Sequence, residues 1–149
     1  MLRKYSLIIV VVSMLAFAAC VPEPQYSFIP HIEFQSMSDN TFDELDEDSL
    51  SIVVYFEDGD GDLGSDDSIN MFWEDSRVPG FPLAFKIPFI ELQGNSKAIS
   101  GTITTYYPIS YCLDNDDAVD TFYYKIYIVD RAGNKSNVDS TDLIFLNCN

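Results

Sequence analysis

Leu50-Ser51-Ile52-Val53-Val54-Tyr55-Phe56 runs directly into Glu57-Asp58-Gly59-Asp60-Gly61-Asp62-Leu63-Gly64, and that junction decides the fold. Ile52, Val54 and Phe56 recur at every second residue, the spacing that lines one face of a half-buried strand. The Asp-Gly run after them can extend neither a strand nor a helix, because its glycines free the backbone and its carboxylates repel.

The period of two continues in both directions. Seven strands are predicted, at residues 32–35, 50–56, 69–73, 83–92, 97–107, 121–129 and 138–146. Ile99 and Ile103 face inward in the fifth, and Phe122, Tyr124, Ile126 and Ile128 alternate in the sixth. Pro88 demotes the fourth to an edge or a bulge. Gly94-Asn95 marks a hairpin turn between the fourth and fifth. Residues 38–48 read as an acidic linker. No helical period persists anywhere, so the expected fold is all-β: a seven-stranded antiparallel β-sandwich of immunoglobulin or fibronectin type III kind.

At 149 residues, 47% hydrophobic and 21% charged, the chain can bury one core of ordinary size. Its formal charge of −16 repels phosphate backbones and anionic head groups, so nucleic acid is excluded as an expected partner. The single histidine, His31, follows Pro30 at the start of the first strand and reads as a surface residue. No G-x-S-x-G, H-E-x-x-H or phosphate-cradling loop is present. The expected role is therefore not enzymatic.

Residues 1–19 carry Arg3 and Lys4, then an apolar run over 7–17 broken by Ser13, then Ala18-Ala19 before Cys20. The run is short for a membrane span and has a secretory layout. Small residues before a cysteine resemble a bacterial lipoprotein signal, which implies that Cys20 is lipidated and becomes the first mature residue. A plain cleaved signal with Cys20 as a thiol, or an uncleaved anchor, are the alternatives. The division is then a signal at 1–19, a lipidated, Pro-containing tether at 20–30 and a β-sandwich at 31–149. The expected address is the outer membrane, reached by export and held by the lipid.

Cys112 and Cys148 remain, an even pair in an exported chain, and are expected to form a disulfide rather than two separate thiols. An up-and-down strand order brings both to one end, with Cys148 opposite Val119 or Asp120.

The same order brings the 2–3 loop and the 6–7 turn to the other end. Asp58, Asp60 and Asp62, spaced like the first ligands of a D-x-D-x-D loop, could then converge with Asp130 and Asn134 on Ca²⁺. Asp66, Asp67 and Asn70 lie close in sequence. The loop is not an EF-hand, since Leu63 and Ile69 stand where glycine and glutamate belong. The alternative is a solvated acidic turn, with Asp130 capping the backbone near Ala132. The acidic clusters at 43–48 and 114–117 lack alternating glycines and read as solvated charge.

Aromatic residues make up 14% of the chain, and Trp73, Phe81, Tyr106 and Tyr107 near strand ends are candidates for stacking on sugar rings. Core filling is the competing use, and Trp73 is similar to the core tryptophan of such sandwiches.

Residues 52–64, Lys97-Ala98-Ile99-Ser100-Gly101 and Asp130-Arg131-Ala132-Gly133-Asn134-Lys135-Ser136-Asn137 together resemble uncharacterised lipoproteins of the Bacteroidetes kind. The Asp-Arg-Ala-Gly-Asn turn is also similar to the D-x-A-G-N turn of bacterial immunoglobulin-like repeats. The resemblance spans residues 32–148 and implies fold and compartment, not activity. The expected protein is a calcium-stabilised, immunoglobulin-like interaction domain on the cell envelope, bound to the membrane by its lipid and to an envelope protein. The alternative is a glycan-binding module.

Overall fold

The computed structural model describes residues 26–44, 49–92, 97–109, 111–113 and 118–148. The expected signal, the lipidation site Cys20 and the Gly94-Asn95 turn lie outside them. Among the described residues there is no helix. The strands are β1 (His31–Met37), β2 (Thr41–Asp43), β3 (Ser49–Asp58), β4 (Met71–Asp75), β5 (Leu83–Phe85), β6 (Ile99–Pro108), β7 (Val119–Phe122), β8 (Tyr124–Ile128), β9 (Asp139–Ser140) and β10 (Ile144–Asn147).

Three sheets form, in the orders β1-β3-β6, β2-β10-β7 and β5-β4-β8-β9. Only Tyr123 separates β7 from β8. Their partners β10 and β9 follow registers Ile144↔Phe122 and Ile126↔Asp139, which differ by one residue. That offset is a bulge in one long hairpin. Thr141 fills it: its N–H donates to the Tyr124 carbonyl and its hydroxyl accepts the Tyr124 N–H.

The alternation expected at Ile52, Val54 and Phe56 holds, and β3 extends two residues further than expected, into the Asp-Gly run, so that Leu50, Ile52, Val54, Phe56 and Asp58 are all buried. These apolar side chains join Ile32 from β1 and Met71, Trp73, Phe122, Tyr124, Ile126, Ile128, Ile144 and Leu146 from the other sheets in one cluster. Burying such side chains contributes roughly 1.5–3 kcal/mol apiece.

Several expectations are corrected. Ten strands appear among the described residues in place of seven, partly because two predicted strands are interrupted. The supposed linker contains β2, which pairs parallel with β10, so the pairing is not antiparallel throughout. The predicted third strand begins at Met71, since Asn70 turns its side chain onto the backbone of Ile87. The fourth is only Leu83–Phe85. No hairpin joins it to the fifth: β5 pairs with β4, and β6 crosses to pair with β3. The order is accordingly not up-and-down, yet strand directions still alternate and the end assignments survive.

Candidate metal centre

β3 delivers Asp58 to the end of the core, where the side chain is fully buried. The loop then closes on itself, as Asp58 Oδ2 accepts the Leu63 N–H at 2.9 Å and Leu63 buries its own side chain in the core. Gly61 turns with φ +69°, a conformation that favours glycine, and any side chain there would also collide with the Lys97 carbonyl. A side chain at Gly59 would strike the carbonyls of Tyr26 and Ser27, and the Gly59 N–H donates to Ser27 at 2.8 Å. Tyr26 and Ser27 of the expected tether are thus packed onto this loop.

The result is that one carboxylate oxygen from each of Asp58, Asp60 and Asp62 lies within 4.8 Å of the others. Oδ1 of all three is buried without a hydrogen-bond partner among the described residues. Buried polar atoms are normally satisfied, and orphaned ones point to a missing ligand. At such separations each ionised pair repels by on the order of 1 kcal/mol even in bulk water, and by more where water is excluded. Burial, with the charges of Asp60 and Asp62, pushes the Asp58 carboxyl up to about 6, against the pull of the Leu63 N–H. Burial and the charges of Asp130 and Asp60 likewise raise Asp62, against its bond from Ala132 and the Arg131 charge. The cluster could hold a metal ion, and its donors are all oxygen, which suits a hard cation.

The β8–β9 turn meets this loop, as expected. The Arg131 N–H reaches the Asp62 carbonyl at 3.2 Å, and the Ala132 N–H donates to Asp62 Oδ2 at 2.9 Å. The Arg131 guanidinium donates to the Gly64 carbonyl at 2.9 Å. Asp130 and Asn134, however, stay outside the three-carboxylate group. Asp130 Oδ1 accepts the Asn134 N–H at 2.7 Å and Oδ2 accepts its side-chain amide at 2.8 Å. The pair closes a turn in which Asp130 acts on Asp62 through its charge. Asn70 is likewise committed to Ile87, and Asp66 Oδ1 accepts the Phe89 N–H at 3.2 Å.

Neither a family model, nor a curated protein, nor a solved structure matches this chain.

The opposite pole holds the remaining candidates. Cys112 and Cys148 form a disulfide with Cα atoms 6.0 Å apart. Cys148 lies one position beyond the expected register, its N–H on the Ala118 carbonyl. Beside it opens a cleft of about 330 Å³ lined in part by Phe81, Leu83, Tyr107, Ile109, Tyr111 and Tyr124. Phe81 is 76% exposed at its rim and Tyr107 is half-buried against Phe85. Tyr106 is exposed on the other face of β6. Trp73 is no platform: it is fully buried, with Phe85 and Tyr124 at 4.5 and 5.6 Å.

Arg77 went unnoticed in the sequence and anchors this pole. Its guanidinium stacks 3.5 Å over Phe122, and holds Asp75 at 2.6 Å and Asp120 at 2.7 Å. His31 starts β1 opposite Glu57, half-exposed and 3.6 Å from Glu33.

Proposed function

We propose that this chain is an exported, lipid-anchored and non-enzymatic interaction domain of the bacterial envelope, with an immunoglobulin-type sandwich clamped at one pole by calcium. The observation that carries the calcium reading is the trio of buried, unpartnered oxygens on Asp58, Asp60 and Asp62. Calcium takes six to eight oxygens in flexible geometry, so carboxylates complemented by water fit it better than they fit the strict octahedron of magnesium. An ion there would replace mutual repulsion by attraction and fix the loop against the β8–β9 turn.

Strand order supports the immunoglobulin-type reading. β1-β3-β6 corresponds to A-B-E, and β5-β4-β8-β9 to C′-C-F-G, in that architecture. Export is supported by the disulfide, which belongs to oxidising compartments. The basic, apolar and small-residue succession before Cys20 supports lipidation there.

The test is a thermal melt with calcium, magnesium or chelator. Calcium should raise the melting temperature, and Asp60→Asn should abolish most of the rise. Equal melts with and without calcium would reject the reading. A diacylglycerol adduct on Cys20, read by mass spectrometry, tests the anchor.

A second reading, a glycan-binding module, is favoured by the aromatic cleft carrying Phe81, Tyr107 and Tyr111. Titration against a glycan panel decides it, since a ligand lost with Phe81→Ala would place sugar in the cleft.

A further inference from the structure

We infer that β6 is a self-association edge, through which two copies of the chain pair antiparallel into a symmetric dimer. The direction of its backbone groups follows from the registers. Ser38 and Ser51 exchange contacts on the β1 side of β3, the Ser38 N–H donating to the Ser51 carbonyl at 2.9 Å and the Ser51 N–H to the Ser38 hydroxyl at 3.0 Å. Odd residues of β3 therefore bond toward β1, and even ones bond toward β6. Leu50, Ile52, Val54 and Phe56 pair with Tyr107, Thr105, Ile103 and Gly101. The intervening residues Ser100, Thr102, Thr104 and Tyr106 must turn their N–H and C=O groups to the open side.

Nothing among the described residues takes those groups: β6 ladders with β3 alone. The strand that pairs with E in immunoglobulin constant-type sheets has no counterpart beside β6 among them. The opposite edge of the same sheet is treated differently. There the outward N–H groups of Ile32 and Phe34 donate to Asn137 Oδ1 at 2.8 Å and Asp139 Oδ2 at 2.6 Å. One edge is capped and the other is left as a template for pairing.

Charge selects the occupant. Charged residues are 21% of the chain, yet none occurs in Ile-Ser-Gly-Thr-Ile-Thr-Thr-Tyr-Tyr-Pro, residues 99–108. Natural edges are usually blunted by lysine, inward charge or brevity, and β6 is long, β-branched and uncharged. A molecule with formal charge −16 approaches its own copy at least cost where neither surface carries a carboxylate. Antiparallel pairing of one strand with itself closes by two-fold symmetry. Centred on Ile103, it sets Thr102 opposite Thr104 of the second copy and Ser100 opposite Tyr106, each pair exchanging two hydrogen bonds.

The experiment is sedimentation of the full chain in detergent, with calcium present, across protein and salt concentration. A reversible dimer is expected, tightening as salt screens the net charge. Thr104→Pro removes an outward donor and leaves the β3 ladder intact; Thr104→Asp sets carboxylates near one another across the axis. Each should weaken association by at least about tenfold without lowering the melting temperature. If the proline variant misfolds, the aspartate variant decides alone, and both share any micelle effect with the parent. A parent that stays monomeric throughout, or a dimer that survives Thr104→Asp, would overturn the inference.

Discussion

At the pole where β3 ends, three carboxylates crowd within 4.8 Å and bury oxygens that nothing among the described residues satisfies. At the pole where β3 begins, Arg77 spans Asp75 and Asp120, and a disulfide ties β10 to the approach to β7. Both poles face the same physical problem, loops that must bury polar groups with little apolar surface. One solves it covalently and by ion pairing inside the chain. The other leaves three carboxylate oxygens that a metal ion could satisfy. On the proposed reading, one pole is fixed as soon as the disulfide forms and the other responds to cation and pH.

Breaking the fixed pole should have the largest effect. The disulfide closes a loop across 36 residues, worth about 4 kcal/mol in the chain-entropy account. Cys112→Ala with Cys148→Ala, melted against the parent with calcium held constant, should lose roughly that much. Calcium should still stabilise the double variant by its usual increment, because the two sites lie at opposite ends of the sandwich. A variant that no longer responds to calcium would show that the poles are coupled.

Removing the cation should cost less. At a hundredfold excess over its dissociation constant a ligand stabilises by about 2.7 kcal/mol, and chelation should withdraw it. Asp58→Asn keeps the Leu63 bond acceptor but removes one ionised oxygen, and is expected to flatten the calcium response. The pH dependence without calcium has a definite sign. The folded Asp58 carboxyl titrates at about 6, above its ordinary 3.8, so folding favours its protonated form. Its stabilisation is complete below the ordinary value and disappears as pH rises through 6. Chelated protein should therefore melt higher at pH 5 than at pH 7, and Asp58→Asn should remove that difference. With calcium bound the slope should reverse, because the ligands must be ionised. Asp120 acts oppositely: burial alone would raise it, but the Leu113 N–H and Arg77 hold it below the ordinary range, so its contribution is lost only in stronger acid.

The two poles also differ in how far the sequence could be read. Asp58, Asp60 and Asp62 were legible because their spacing is local, and an alternating strand must deliver Asp58 to one end of the core. The β8–β9 turn was legible as a neighbour because strand directions alternate whatever the sheet order. Sheet membership was not. Gly94-Asn95 signals a turn, but whether β6 then pairs with β5 or crosses to β3 depends on which sheet offers an edge. The role of Asn70, and Arg77 altogether, escaped the sequence for the same kind of reason. Each finds its partner by tertiary contact, at Ile87 and Asp120, 17 and 43 residues away. Asp130 and Asn134 were placed at the correct end, but their bonds to each other were visible only in three dimensions.

The smallest stability effect is expected at the rim of the cleft, where it sharpens the contrast between structural and available aromatics. Trp73 fills the core, and Tyr107 packs edge-on to Phe85 at 6.2 Å, so trimming either opens a cavity. Phe81 is 76% exposed and leaves nothing behind when removed. Phe81→Ala should change stability by no more than about 0.5 kcal/mol, measured by denaturant unfolding. An exposed ring retained beside an apolar cleft is the part of this pole not committed to holding the fold together. If Phe81→Ala instead unfolds at markedly lower denaturant, the ring is a lid on the core, and the cleft loses its claim to a ligand.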